Sequence, residues 1–167
     1  MEQLLIEGNT KYAPAHQTWT RAERFKNIIV VCCMDPRINP YEQLGLESGA
    51  AITIRNAGGS AKEALRSILV AQHAIKVGTH IAVLHHTDCG MTKTTTPEMQ
   101  HLVKDWCSGN TQVAEAVERI DFYHISDLKD SVKRDVEWLK SNPMIKPAEV
   151  SGWIYDVETG KITEVAA

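Results

Sequence analysis

Five residues in two short segments have the types and spacing of a metal-assisted catalyst. The first segment, "VVCCMDPR" (Val30 to Arg37), carries Cys33, Asp35 and Arg37, and the second, "HHTDCGM" (His85 to Met91), carries His86 and Cys89. A catalytic zinc takes three thiolate or imidazole ligands and keeps a fourth position open for water. His86 and Cys89, three residues apart across a turn, can chelate one ion, and Cys33 supplies a third bond from a distant part of the chain. Two thiolates and a neutral imidazole cancel the charge of Zn²⁺, so this set makes a weaker acid of the metal than three imidazoles would. Nearby groups must therefore help to ionise water near neutral pH. Asp35, two residues beyond Cys33, can reach the open side of the ion. Arg37 can hold its carboxylate in a charge-assisted pair that keeps it ionised and acceptor-only. Cys32 lacks these offsets, because Met34 and Pro36 occupy the corresponding places. Cys32 is expected to face the other side of its strand and pack there.

The same residues admit other chemistries. A closed structural zinc site needs a fourth strong ligand. Cys107 is the candidate, although its position beside Trp106 suits a small packed hydrophobe. A thiol enzyme using Cys33 as nucleophile lacks the phosphatase-type spacing of Cys, five residues and Arg, since position 39 is Asn39. Asp35 and Arg37 can form an ion pair that serves the fold, which is compatible with a role in catalysis. Asp88, between two ligands, either accepts a supporting hydrogen bond or only makes the turn. His73, His80, His85 and His101 read as surface or core histidines. "GGSAK" (Gly58 to Lys62) is too short and wrongly spaced for a P-loop.

The elements that must position these residues follow from the patterning. Lys26 to Met34, Ala50 to Arg55 and His80 to His86 read as strands buried on both faces. Ser60 and Glu63 form a capping box for a helix in which Leu65, Ile68, Leu69, Gln72 and Ile75 follow helical spacing, with Gly78 closing its end. With a short helical crossover over Pro40 to Leu46, this is a βαβ rhythm and predicts an α/β fold with a parallel sheet and helices on its faces. Two further helices are expected, from about Pro97 to Cys107 and from about Asp127 to Ser141, the second stopped by Asn142-Pro143. The tail "SGWIYDVETGKITEV" alternates as a terminal strand or hairpin around Glu158-Thr159-Gly160. Ligands of parallel sheets bind at the carboxyl ends of the strands, and there the reactive residues collect. Arg55 and Asn56 should brace the adjoining loop, while Gly58, Gly59 and Gly90 permit close backbone approach.

With 167 residues and 43% hydrophobic content, the chain suits one domain with a real core. A formal net charge of -3 and interspersed charges argue against nucleic-acid or anionic-membrane partners. The longest apolar stretch, Ile28 to Met34, is too short to span a bilayer, and the start lacks the basic region of a secretory signal. A cytoplasmic location is expected, where clustered Cys and His read as metal ligands. Residues 1–25 read as an N-terminal arm packing on a partner subunit, or as a surface helix, and 26–167 as the zinc-binding catalytic domain.

"CMDPR", "RNAG" (Arg55 to Gly58) and "HHTDCGM" together resemble the signature segments of the β-class carbonic anhydrases, short type. The resemblance implies a mostly parallel four- or five-stranded sheet, Zn²⁺, a homodimer or dimer of dimers, and reversible hydration of carbon dioxide to bicarbonate and a proton by zinc-bound hydroxide. Carried over by residue, Cys33, His86 and Cys89 match the zinc ligands, and Asp35 with Arg37 matches the dyad that orients the nucleophile. Pro36 stands where many members have Ser or Ala, which stiffens the turn and removes one amide donor. Related hydrolases of carbonyl sulfide and carbon disulfide share this metal set and dyad, so sulfide-releasing hydrolysis is the alternative activity.

Overall fold

The computed structural model describes residues 1–18 and 20–167. The chain begins with α1 (Glu2–Tyr12) and the short α2 (Arg21–Arg24), then enters the sheet with β1 (Ile28–Cys33), in which every residue after Ile28 is buried. It continues through α3 (Pro40–Gln43), β2 (Ala51–Asn56), α4 (Ala61–Leu69) and β3 (His80–His86). After α5 (Thr96–Trp106), α6 (Thr111–Val117) and α7 (Leu128–Ser141) come β4 (Glu149–Tyr155) and β5 (Ile162–Ala166). The five strands lie in the order β2-β1-β3-β4-β5. The first four pair in parallel, and β5 returns antiparallel on β4. The expected terminal hairpin is present: the Asp156 carboxylate accepts the backbone N–H groups of Glu158 and Thr159, both at 2.9 Å, to close its turn.

The helix after β2 starts as its sequence predicts, with the Ser60 hydroxyl accepting from the Glu63 N–H. Its end differs. From Val70 to Ile75 the chain widens into a π-helical turn, closed by Lys76 in the left-handed region at φ 64°. Ala71 and Gln72 are buried as helical spacing predicts, but beyond them the wider turn carries Ile75 off the inner face, leaving it 37% exposed. Gly78 is required for another reason than helix closure: at φ +97° a Cβ there would lie 2.5 Å from Ile29 Cδ1. Helix α6 has no counterpart in the hydrophobic pattern, because only Val117 of its residues is buried. The local signal for it is Asn110, whose side chain accepts from the Val113 N–H.

Alternation along the strands separates two layers. Ile29, Val31, Ile81, Val83 and Val150 pack against Ala64 and Ile68 of α4 and Val136 and Leu139 of α7. The opposite face presents Val30, Cys32 and Leu84 to Ile38 and to the residues around α3. Helices were expected on both faces, yet this one is thinly covered. An apolar groove of about 730 Å³ runs along it, lined by Ile28, Leu44, Leu46, Ala82, Trp153 and Ile162 among others. No residue of α1 is buried, and Leu4, Leu5 and Ile6 are 60–67% exposed. Among the described residues, no helix is long and apolar enough to cross a membrane.

Candidate metal centre

Strands β1 and β3 are neighbours from which the chain departs in opposite directions, to β2 on one side and β4 on the other. The carboxyl ends of such a pair flank a crevice. Cys33 ends β1, His86 ends β3, and Cys89 follows after a turn in which Asp88 takes φ 53°. The sulfurs of Cys33 and Cys89 are 3.9 Å apart. Two thiolates bound at ~2.3 Å in a tetrahedral set stand about 3.8 Å from each other, so this pair is already spaced for one ion. The ligand atoms of Cys33, His86 and Cys89 all lie within 4.8 Å of one another, and all three residues are buried. The Thr87 carbonyl, 2.8 Å from His86 Nδ1, can only accept, so the proton sits on Nδ1 and the lone pair on Nε2. That Nε2 is buried with no hydrogen-bond partner. An orphaned imidazole lone pair facing two sulfurs is what a soft divalent cation satisfies.

The two thiols share one contact unequally. Cys33 is held well below the ordinary thiol value by the hydrogen bond from Cys89, with help from His86 and the backbone N–H groups of Asp35 and Gly58 against the opposing effect of burial. The same contact pushes Cys89 up, as does burial. For His86, burial disfavours the charged ring, but the neighbouring Cys33 sulfur and the Thr87 carbonyl outweigh it and raise its value.

Asp35 lies at the edge of this group, its Oδ2 3.9 Å from His86 Nε2. Arg37 holds both carboxylate oxygens. Its backbone N–H and Nε donate to Oδ1 at 2.9 and 3.0 Å, and Nη2 donates to Oδ2 at 2.8 Å. These bonds keep the Asp35 carboxyl far below the usual carboxylate range. Arg55 donates from Nε to the Cys33 carbonyl at 3.1 Å and from Nη2 to the Asp35 carbonyl at 2.7 Å. Asn56 acts through both backbone and side chain: its backbone carbonyl accepts the Met34 N–H, and its side-chain Nδ2 donates to the Ser60 carbonyl at 2.9 Å. Gly58 donates its N–H toward the Cys33 sulfur. At Gly90, its chain neighbours aside, no protein atom lies within 4 Å of where a Cβ would sit. The chain itself therefore does not require glycine there.

Cys32 occupies the opposite face, fully buried, with its thiol pushed up to about 11 by burial. Cys107 is half-buried and lies outside the ligand group. Trp106, expected to pack beside it, projects into solvent at 89% exposure. His85 is a core residue, 1% exposed, with Nε2 3.4 Å from Asp135. Two features escaped the sequence reading. One is an apolar wall of Ile125, Met91 and Leu128 packed on Cys33 and Cys89. The other is Lys93, which pairs with Asp88. Met91 closes the segment "HHTDCGM", but Ile125, Leu128 and Lys93 carry no local motif.

A protein-family model described as carbonic anhydrase matches residues 28–162. The β-carbonic anhydrase 1 of Mycobacterium tuberculosis is 31% identical over 163 residues, 96% of this chain and 94% of that protein. The chain belongs to the β-carbonic anhydrase family. A solved carbonic anhydrase from Glaciozyma antarctica superposes with a TM-score of 0.86 at 34% identity, covering 96% of this chain and 95% of the other. The β-carbonic anhydrase likeness extends to a carbon disulfide hydrolase from Acidithiobacillus thiooxidans, 28% identical over 94% of this chain and 85% of that protein.

Proposed function

We propose that this chain is a zinc enzyme that reversibly hydrates carbon dioxide to bicarbonate and a proton. Cys33, His86 and Cys89 are its metal ligands, and Asp35 with Arg37 handles the nucleophile. The observation that carries this reading is the buried, partnerless Nε2 of His86 facing two sulfurs, beside a carboxylate that Arg37 holds. Bound there, zinc would supply the Lewis acidity that brings ionisation of a coordinated water toward neutral pH.

The chain's own residues do the rest. Ionised Asp35 can accept but not donate, so it takes the hydrogen bond of the attacking oxygen's proton and leaves that oxygen's lone pair for the carbon of carbon dioxide. Arg37 keeps Asp35 ionised and, by holding both of its oxygens, keeps it from joining the ligands. The wall of Met91, Ile125 and Leu128 offers the nonpolar substrate a dry surface. One C–O bond forms, one C=O π pair moves onto oxygen, and the proton lost from water passes to buffer. Stopped-flow carbon dioxide hydration by the zinc-loaded protein tests this. Turnover no greater than that of Cys33→Ser anywhere from about pH 7 to 9, where zinc-assisted ionisation of water falls, eliminates it.

The carbon disulfide hydrolase relative favours a second reading, hydrolysis of carbonyl sulfide or carbon disulfide with release of hydrogen sulfide. Sulfide formation and the ratio of kcat/KM values on the two substrate classes decide between them. We further assign residues 1–25 as an arm that crosses a partner subunit in a homodimer or dimer of dimers, and 26–167 as the catalytic domain. Support comes from the exposed Leu4, Leu5 and Ile6 and from the open apolar groove. The four free thiols fit a cytoplasmic location.

A further inference from the structure

Arg37 makes more hydrogen bonds than a two-residue dyad needs. Its Nε and Nη2 edge serves Asp35, and the remaining corner, Nη1, donates to Asp88 Oδ2 at 3.0 Å. Nη2 also donates to the Asp88 carbonyl at 3.1 Å. The second oxygen of Asp88 accepts from Lys93 Nζ at 2.7 Å. Cation and anion therefore alternate from solvent inward: Lys93, Asp88, Arg37 and Asp35, with side chains 64%, 53%, 46% and 17% exposed. A guanidinium is planar, and a carboxylate on one edge still leaves it free to tilt. A second carboxylate on another corner fixes the plane. Asp88 sits between His86 and Cys89 at φ 53°, a left-handed backbone that Asp and Asn tolerate better than most residues. The loop carrying two candidate ligands is thereby tied to the arginine that holds Asp35.

We propose that Asp88 and Lys93 are positioning residues, the outer half of an ion ladder that fixes Arg37 and, through it, the orientation of the Asp35 carboxylate beside the metal group. The proposal rests on the carbon dioxide hydration reading above. Pairs this exposed are individually weak and are screened by salt, and this gives the ladder a signature that a fold-supporting role lacks.

The test uses the zinc-loaded full chain, with Asp88→Asn, Lys93→Met, Lys93→Arg and the double variant Asp88→Asn with Lys93→Met. Asn keeps the left-handed turn and the carbonyl contact and removes the charge together with one of the two acceptor oxygens. Zinc content, kcat and KM for carbon dioxide hydration at low and high salt, and hydrogen exchange of the Arg37 Nε–H by NMR are measured. Asp88→Asn should retain zinc, lower kcat on the order of tenfold with KM little changed, and speed Nε–H exchange. Lys93→Met should cost a smaller factor that Lys93→Arg restores, that high salt abolishes, and that disappears when Asp88 is already Asn. Wild-type turnover and exchange in Asp88→Asn overturn the proposal. So does a Lys93→Met loss that persists unchanged in the double variant or at high salt. If Asp88→Asn loses zinc, the Lys93 pair decides by the same criteria. An inactive wild type would sink the functional reading alone, because the Nε–H exchange comparison still tests the ladder.

Discussion

Gly59 links the backbone of one segment to the ligand geometry of another, and Gly59→Ala should damage both stability and metal affinity. The residue follows β2 at φ +73°, with its missing Cβ position 3.0 Å from the Cys32 carbonyl carbon and 3.1 Å from the Cys33 nitrogen. Alanine in the left-handed region costs about 1–2 kcal/mol. Pressing a methyl onto strand backbone costs about 1–3 kcal/mol more, and the stiffer unfolded chain returns roughly 0.4–1 kcal/mol. The net loss is roughly 1–4.6 kcal/mol, a fall in Tm of about 2–18 °C for a chain of this size. Shifting the end of β1 relieves the strain, and that end carries Cys33 and sets its 3.9 Å spacing from Cys89. Metal sites tolerate distance errors of about 0.2 Å, so zinc affinity should fall on the order of tenfold. Thermal unfolding and chelator competition measure the two effects. Gly90→Ala is the control: it enters open space and should change stability by less than about 0.5 kcal/mol. A Gly59→Ala protein with wild-type Tm and zinc affinity, or a Gly90→Ala protein equally damaged, refutes the reasoning.

Asp35→Asn removes an acceptor and no ligand, so zinc stoichiometry by elemental analysis should hold while turnover falls on the order of 10²–10⁴-fold; loss of zinc would make Asp35 a ligand. His86→Ala should lose metal and activity together, read by the same two assays. Because the Cys89 thiol is raised, it is protonated at neutral pH and must release its proton to bind metal, so zinc affinity should climb between about pH 6 and 8 with measurable acid release; a pH-independent affinity contradicts this. The Asp35 carboxyl is depressed in the fold, so its contribution to stability is complete above the unfolded value of about 3.9 and is lost as pH falls toward the lower folded value. The Tm gap between wild type and Arg37→Met should therefore stay level from pH 8 to about 5 and narrow below about pH 4, and a gap that widens in acid would reverse the assignment.

The metal group was readable because its information is local. Cys33, Asp35 and Arg37 lie within one turn, His86 and Cys89 within another, and the β-branched runs before them fix where parallel strands end. What was not readable depends on contacts between distant segments. Ile125 and Leu128 reach the sulfurs only because the chain loops back between α6 and α7. Lys93 gains its role from a carboxylate whose own role was undecided until Arg37 was seen to reach it. The π-helical turn at Val70–Ile75 breaks the very periodicity used to place Ile75 inside. The bare sheet face could not be inferred either, since Val30 and Leu84 look the same in sequence whether a helix or a second molecule covers them.

Both strands that frame the centre end in doublets, Cys32-Cys33 and His85-His86, in which one member joins the metal group and the other packs elsewhere, Cys32 in the layer around Ile38 and His85 beside Asp135 of α7. Chemistry alone cannot tell the members of a doublet apart; only strand register does, and a slip of one residue would present the decoy sulfur or ring. Cation supplied to an unfolded chain can therefore seize the wrong member and pin the sheet out of step. Refolding with a chelator and adding zinc afterwards should recover more active enzyme than refolding in zinc, which makes the order of assembly part of what this sequence specifies.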